Sequence, residues 1–394
     1  MELNDLEFLT SPSGQELLMR YAKLSEKELN SLALILSKKG LEHIPALLSQ
    51  IKFRQKAFGK FEKSEQMYFT GLGLEQATGE KISRHIADRF GKIGKIVDLT
   101  AGIGGNLIFL AEKNKVVAVD QNEVHLKCSK LNAKTYGVLK NVEFVLGRAE
   151  ENLIKDADAF FIDPAREREG RTKTRSIFNS SPKILEILPE LLKITDKICI
   201  KISPAFDYKE LDSLPLKPEV EIISEDNVCK VALLWFGEFK TAERRATCLI
   251  GNEKFSLVES PQKIFTSVLD QPLKFIYEPN KAIIKAHLID ELAQQFELKK
   301  INSETAFLTS DAMVSEKKLF RSFEIISIEK FSIKDLKKKF KALGIERADI
   351  LTRRFPVAVE ELYEKLKIGE GGEYVLIFTV LKDNKRYCLL TKRK

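Results

Sequence analysis

"KIVDLTAGIGGNLIFLA", Lys95–Ala111, joins an apolar strand to an apolar helix through a glycine-rich turn. Gly102, Gly104 and Gly105 let the backbone pass close to a ligand and aim helix N–H groups at it. The spacing from Asp98 is D-x-T-x-G-x-G. It is not the dinucleotide pattern G-x-G-x-x-G, because Asn106 and Leu107 follow Gly105. The next strand, "KVVAVD", ends in Asp120, where an acid commonly holds ribose hydroxyls. The plainer alternative is a tight turn for its own sake, with Asp120 capping a helix.

Outward from this turn the chain alternates strand and helix. Downstream come a helix "NEVHLKCSKLNAKTYGV", then the strands "VEFVLG" and "DAFFID", the helix "SPKILEILPELLKI" and the strand "KICIKIS". The strands are short continuous apolar runs, as expected of parallel strands covered on both faces. "VEIISED" and "CKVALLWFGEF" follow with a connection too short for a parallel crossover, so this pair is expected to be antiparallel. Upstream, residues from about 11 to 65 read as helices, with a Ser cap at "SPSGQELLMRYAKLS" and a stop at Gly40. "KISRHIADRFGK" is a further helix leading into the first strand.

Beyond residue 240 the pattern changes. Strand-like "RRATCLIG" and "FSLVES" precede "FIYEPNKAIIKAHLIDELAQQFEL", read as a short strand and one amphipathic helix. The strand "FRSFEIISIEKF" is expected to close this unit near residue 330. A basic helix "SIKDLKKKFKALG" ending at Gly344, a strand, the helix "VAVEELYEKLKI" and a hairpin turning at Asp383-Asn384 complete the chain. The expected domains are 1–80, 81–240, 241–330 and 331–394.

With 394 residues the chain exceeds one comfortable core. No run approaches the roughly 18 apolar residues needed to span a bilayer, and "MELNDLEFLT" has no signal-peptide character. The five cysteines form no CxxC pair, and with four histidines they read as reduced cytoplasmic thiols without a metal site. A net charge of +8 permits a nucleic-acid partner without establishing one.

The glycine turn, the two acids and the antiparallel tail together resemble the class I S-adenosylmethionine-dependent methyltransferases. That resemblance implies an α/β fold: a Rossmann-like seven-stranded sheet with an N-terminal helical region and small α+β C-terminal domains. It implies S-adenosyl-L-methionine as cofactor. Asp98 then lies near the methionine amino group, the loop of Thr100, Ala101, Gly102 and Gly104 around the methionine moiety, and Asp120 at the ribose. Thr100 stands where the family usually has glycine. Ala149 and Glu150 of "GRAEE" fall near the adenine. Gln76 and Thr78, in "LEQATGEKIS", resemble the segment that closes over the methionine carboxylate in RNA N2-guanine methyltransferases; the alternative is a helix cap at Thr78.

The fourth strand ends in Asp163-Pro164 of "IDPARERE". Relatives that methylate an exocyclic base amine carry Asp/Asn-Pro-Pro-aromatic there. The amine's lone pair is delocalised into the ring, so acceptors for its two N–H groups favour a nitrogen that can attack. Asp163 matches the acceptor, and the Pro164 carbonyl the second. Ala165 and Arg166 replace the second proline and the aromatic, so a base would need another stacking partner, such as Arg166 or Phe206. The alternative for Asp163 is a cap on the next helix. Arg166, Arg168, Arg171, Lys173 and Arg175 follow within a few residues, either as phosphate contacts or as a solvated loop.

More specifically, "LEQATGEKIS", "VDLTAGIGGN", "IDPARERE" and the tail "LKKKFKALGIERADILTRRFPVAVEELYEKLK" resemble a bacterial methyltransferase family with a ferredoxin-like insert and a C-terminal THUMP-like domain. THUMP domains present RNA ends to attached modification enzymes, so the likeness implies RNA as partner, with Lys338 and Arg353 among its phosphate contacts. The leading expectation is methylation of a base amine in tRNA or rRNA. The alternatives are a protein or small-molecule substrate, or a noncatalytic RNA-binding protein keeping the fold.

Overall fold

The computed structural model describes residues 1–38, 42–166, 168–169, 172–173, 176–316 and 318–394. The stop expected at Gly40, and residues Arg171 and Arg175, lie outside the described residues. The chain forms two compact units. One comprises Met1–Glu219 and Ala232–Thr241, the other Val220–Val231 and Ala242–Lys394.

The first unit opens with four helices: α1 (Leu3–Thr10), α2 (Pro12–Tyr21), α3 (Glu26–Lys38) and α4 (Ile44–Lys56). Ser11 caps α2 through the Gly14 amide, and Pro12 occupies the first turn, where its missing N–H costs nothing. α1 begins ahead of the expected helical region. Two further helices lead to the sheet: α5 (Gly71–Gln76) and α6 (Glu80–Phe90). Ile82, Ile86, Ala87 and Phe90 form the buried stripe of α6, and the Phe90 ring meets Phe161 and Trp235.

Six neighbouring strands of a nine-stranded sheet are β1 (Lys95–Asp98), β2 (Lys115–Asp120), β3 (Val142–Leu146), β4 (Ala159–Ile162), β5 (Ile198–Ile202) and β7 (Val228–Trp235, preceded by β6, Glu219–Glu225). Their hydrogen-bonded order is β3-β2-β1-β4-β5-β7. β1 to β5 are parallel, with Asp98 opposite Ala118 and Phe161, and Ile162 opposite Ile200. β7 runs antiparallel to β5, with Trp235 opposite Cys199. The short connection does form a hairpin: β6 precedes β7 across Asp226-Asn227, both at positive φ. The order with a reversed strand beside β5 follows the class I pattern expected from the sequence.

α7 (Leu107–Leu110) and α8 (Glu123–Thr135) pack on β2. α7 is one turn long, shorter than the apolar run suggested. Among the described residues no helix directly follows β4. Instead 165–166 pairs antiparallel with 180–181, and 168–169 pairs with 172–173. α9 (Ile184–Leu192) then returns the chain to β5.

In the second unit β8 (Arg244–Ile250) is parallel to β6 and antiparallel to β9 (Glu253–Val258). A separate seven-stranded sheet contains β10 (Phe275–Pro279), β11 (Lys299–Lys300), β12 (Leu308–Ser310), β13 (Phe320–Lys330), β14 (Arg347–Thr352), β15 (Gly369–Val380) and β16 (Arg386–Arg393). Its order is β11-β12-β10-β13-β16-β15-β14. The expected boundary at residue 330 therefore runs through one sheet, because β13 pairs with β10 on one side and β16 on the other. The strand pair near residue 250 likewise joins β6, not β10.

The expected single helix after β10 is two, α10 (Lys281–Lys285) and α11 (Ile289–Gln295). His287 takes a left-handed conformation with φ 60° and breaks the run. α12 (Ile333–Ala342) ends before Gly344 at φ 66°, and α13 (Val359–Leu366) packs on β14. Leu336, Phe340, Ala348, Leu362, Leu376 and Phe378 form the core beneath these two helices. No helix of the described residues is long and apolar enough to cross a membrane.

Candidate active site at the carboxyl edge of the parallel sheet

Because β1, β2, β4 and β5 are parallel, their last residues emerge on one edge. Ligands of open α/β sheets bind at this edge. Asp98, Asp120, Asp163 and Lys201 come from these four strand ends.

The glycine loop starts by continuing the sheet: Leu99 N–H donates to the Phe161 carbonyl at 3.1 Å and Ala101 N–H to Val119 at 2.9 Å. Gly102 and Gly104 then adopt φ 53° and 90°, which other residues take only with strain. A Cβ on Gly104 would lie 2.9 Å from Ser129 Oγ and 3.3 Å from its Cα, so the loop also needs glycine for its packing on α8. Asp120 accepts from the Gly102 amide at 2.7 Å and the Asn122 amide at 2.8 Å. It does not cap α8; Asn122 does, accepting from His125 N–H. Asp120 thus fixes the loop and its own strand end with one carboxylate.

Asp98 is 1% exposed and accepts from Thr100 N–H at 3.1 Å. Burial raises its pKa to about 8, and the neighbouring carboxylates of Asp163 and Asp120 push the same way. The Thr100 amide and the Lys201 ammonium pull against them. A buried acid flanked by two others is a site that a cationic amine would satisfy. The Thr100 hydroxyl, where a glycine is usual, accepts from Asp163 N–H at 2.6 Å and joins the loop to the end of β4.

Asp163 does not cap a helix either, since the next helix among the described residues is α9, which has Lys183 at its cap position. Its Oδ2 accepts from Lys201 Nζ at 2.5 Å, with side-chain exposures of 22% and 12%. Pro164 is buried beside it. Phe206, the alternative stacking partner, is 1% exposed and its ring lies 4.8 Å from that of Tyr208, so it belongs to the core. Lys201 was not among the residues expected here. Its signal was a single charge inside the apolar strand "ICIKI".

The segment preceding α6 lies against the loop. A Cβ on Gly73 would collide with Ile103 Cγ2, and one on Gly105 would meet Ala77 Cβ and the Thr78 carbonyl at 3.4 Å. Thr78 is buried and accepts from Asn106 Nδ2 at 3.3 Å, while Gly79, not Thr78, is the cap of α6. Gln76, at the end of α5, is exposed. After β3, Gly147 N–H donates to the Asp120 carbonyl, Ala149 is buried and Glu150 is exposed beside Arg148.

The basic candidates divide. Lys338 is exposed on α12. Arg353 pairs with Glu278, a 3% exposed carboxylate that also holds Arg321. A buried carboxylate needs such partners, so the fold itself engages Arg353. The backbones of Arg166 and Arg168 lie in the two short ribbons. Among the described residues no cluster of His, Cys, Asp and Glu could hold a metal ion.

A parallel sheet with this order, this glycine loop and this acid at the second strand end defines a class I S-adenosylmethionine-dependent methyltransferase. Three family models match along the chain: RNA cap guanine-N2 methyltransferase over residues 93–184, a ferredoxin-like domain over 275–316 and a THUMP domain-like module over 320–393. The last begins with β13, so that strand matches the THUMP-like module and not the ferredoxin-like one.

An uncharacterised S-adenosylmethionine-dependent methyltransferase of Mycobacterium tuberculosis H37Rv is 25% identical over 355 residues, 86% of this chain and 93% of that one. A crystallised Porphyromonas gingivalis W83 protein, described as a methyltransferase, is 25% identical with a TM-score of 0.75, covering 94% of this chain and 99% of that one. A 23S rRNA (uracil(747)-C(5))-methyltransferase of Pyrococcus abyssi is 31% identical over 80 residues, 20% of this chain and 19% of that one. These matches place the chain among S-adenosylmethionine-dependent methyltransferases with ferredoxin-like and THUMP-like segments.

Proposed function

We propose that this chain methylates an exocyclic amine of a base in structured RNA, tRNA or rRNA. The observation that carries the proposal is the Asp163-Pro164 pair at the end of β4, next to buried Asp98 and tied to the glycine loop through Thr100. The guanine-N2 model covers this stretch, and the THUMP-like module supports RNA as the partner.

The residues present fit the cofactor. Asp98 is a buried acid calling for a cation, which the methionine amino group provides, and Asp120 stands at the ribose position of the fold. Thr100, Ala101, Gly102 and Gly104 would border the methionine moiety, Gln76 and Thr78 its carboxylate side, and Ala149 and Glu150 the adenine. When bound, S-adenosylmethionine supplies a methyl group on an electrophilic sulfonium. Asp163 and the Pro164 carbonyl accept the two N–H bonds of the target amine, which localises the nitrogen lone pair. Holding that nitrogen in line supplies much of the remaining rate. The proton the amine gives up has Asp163 as its nearest acceptor. Arg166, Arg168, Arg171, Arg175 and Lys338 serve the phosphates, where contacts position the RNA without reading its sequence.

The experiment is nucleoside mass spectrometry of RNA from cells with and without the gene. An N-methylated base that disappears with the gene is expected. An unchanged modification profile, with purified protein transferring methyl groups to a protein or small molecule, would overturn the proposal.

A further inference from the structure

β5 buries Ile198, Cys199 and Ile200 completely and Ile202 to 8% exposure, yet it carries Lys201. A mostly buried ammonium is costly unless it is paired and hydrogen-bonded. One residue past the registered pair Ile162–Ile200, Lys201 and Asp163 stand side by side, 2.5 Å apart. An ammonium has three N–H donors, and among the described residues Asp163 accepts one of them. A carboxylate likewise has acceptor capacity beyond one bond. The edge of the sheet therefore offers an acceptor and a donor next to each other.

We propose that Lys201 determines substrate class by donating to the ring nitrogen beside the target amine while Asp163 accepts from the amine itself. This rests on the base-amine reading above and narrows it. Every base with an exocyclic amine carries that amino group on a carbon double-bonded to a ring nitrogen, which is N3 in cytosine and guanine and N1 in adenine. The Asp163–Lys201 pair is complementary to that grouping. A protonated lysine or an arginine side chain has donors only and would meet Lys201 as a like charge, so the same pair excludes cationic protein substrates. Uracil lacks the amine.

Lys201→Met alone would leave Asp163 without its cation, so the decisive comparison is Asp163→Asn against the double variant Asp163→Asn/Lys201→Met. The amide keeps an acceptor, and the double variant leaves no unpaired charge at the pair. The probe is RNA from cells lacking the gene, with methyl-labelled S-adenosylmethionine and nucleoside analysis of the product. The double variant is expected to lose a further tenfold to hundredfold in kcat/KM for RNA, with cofactor affinity matching Asp163→Asn and a melting temperature no lower than that of Asp163→Asn, whose Lys201 is left unpaired. Equal rates for the two variants would overturn the role of Lys201 while leaving the base-amine reading intact. A parallel fall in melting temperature and cofactor affinity would overturn it in favour of a structural role for the lysine. Failure of the wild type to label RNA, or label on a ring carbon, would overturn the base-amine reading itself and the role of Lys201 with it.

Discussion

Asp98 and Asp163 are both strand-end acids, and their surroundings give them opposite work. Asp98 keeps its proton to about pH 8 when folded, chiefly because it is buried, and releases it near 3.8 in the unfolded chain. Between those values the folded state binds more protons, so this group makes stability fall as pH rises through that window. Asp98→Asn, neutral throughout, should melt higher than wild type by an amount that grows from pH 5 to pH 8. Paired melting curves across that range check it, and a constant difference would show Asp98 already ionised. Asp163 is paired with Lys201, and in the proposed reaction its contribution belongs to the transition state. Asp163→Ala should reduce turnover on the order of a hundredfold or more. It should also lower the melting temperature, because Lys201 loses its partner. Asp163→Asn keeps an acceptor and should be milder on turnover. Single-turnover methyl transfer beside melting curves separates the two effects; normal turnover per folded Asp163→Ala molecule would remove Asp163 from the chemistry.

At the level of elements, the loop is held by its neighbours as much as by its own glycines. Asn132 on α8 is fully buried; its Oδ1 accepts from Tyr68 N–H at 2.7 Å, and its Nδ2 donates to the Tyr68 carbonyl at 3.0 Å and the Ile103 carbonyl at 2.8 Å. One side chain thus ties the segment before α5, the loop and α8 together. Asn132→Ala would strand these buried groups, at about 3 kcal/mol and on the order of 5–10 °C in melting temperature. Cofactor affinity should fall with it, and calorimetry on the folded variant tests whether loop and segment are coupled. The strand alternation, the glycine turn and the acid at β2 were legible because each is a local pattern. Asn132 was not, since a polar residue in a helix does not announce the distant carbonyls it meets. Lys201 left a sign in its apolar strand, but its partner Asp163 is 38 residues away. The break between α10 and α11 has no glycine or proline to mark it, and β13 reads as a terminal strand although it is an inner one.

Over the whole molecule, the question is whether the charge of +8 is a general property of the surface or a grip on RNA. The two families of candidate cations are far apart in sequence and lie in different compact units, the run from Arg166 to Arg175 in one and α12 in the other. A solvated basic surface would respond to salt diffusely. Discrete phosphate contacts each contribute close to one unit to the slope of log affinity against log salt. Neutralising Arg168, Arg171 and Arg175 should therefore flatten the slope by roughly one unit for each phosphate no longer held, and neutralising Lys334, Lys337, Lys338 and Lys341 should do the same. If one RNA spans both units, the two reductions add in the combined variant. If only one family touches it, the combined variant matches one of its parents. Cofactor affinity should stay at the wild-type value in all three, because none of these residues is among those proposed to border the cofactor. Fluorescence anisotropy of labelled tRNA between about 50 and 200 mM salt reads the slopes, the range over which several phosphate contacts change affinity by orders of magnitude. Identical slopes in every variant would return both groups of cations to the ordinary solvated surface and leave the THUMP-like module without its proposed partner.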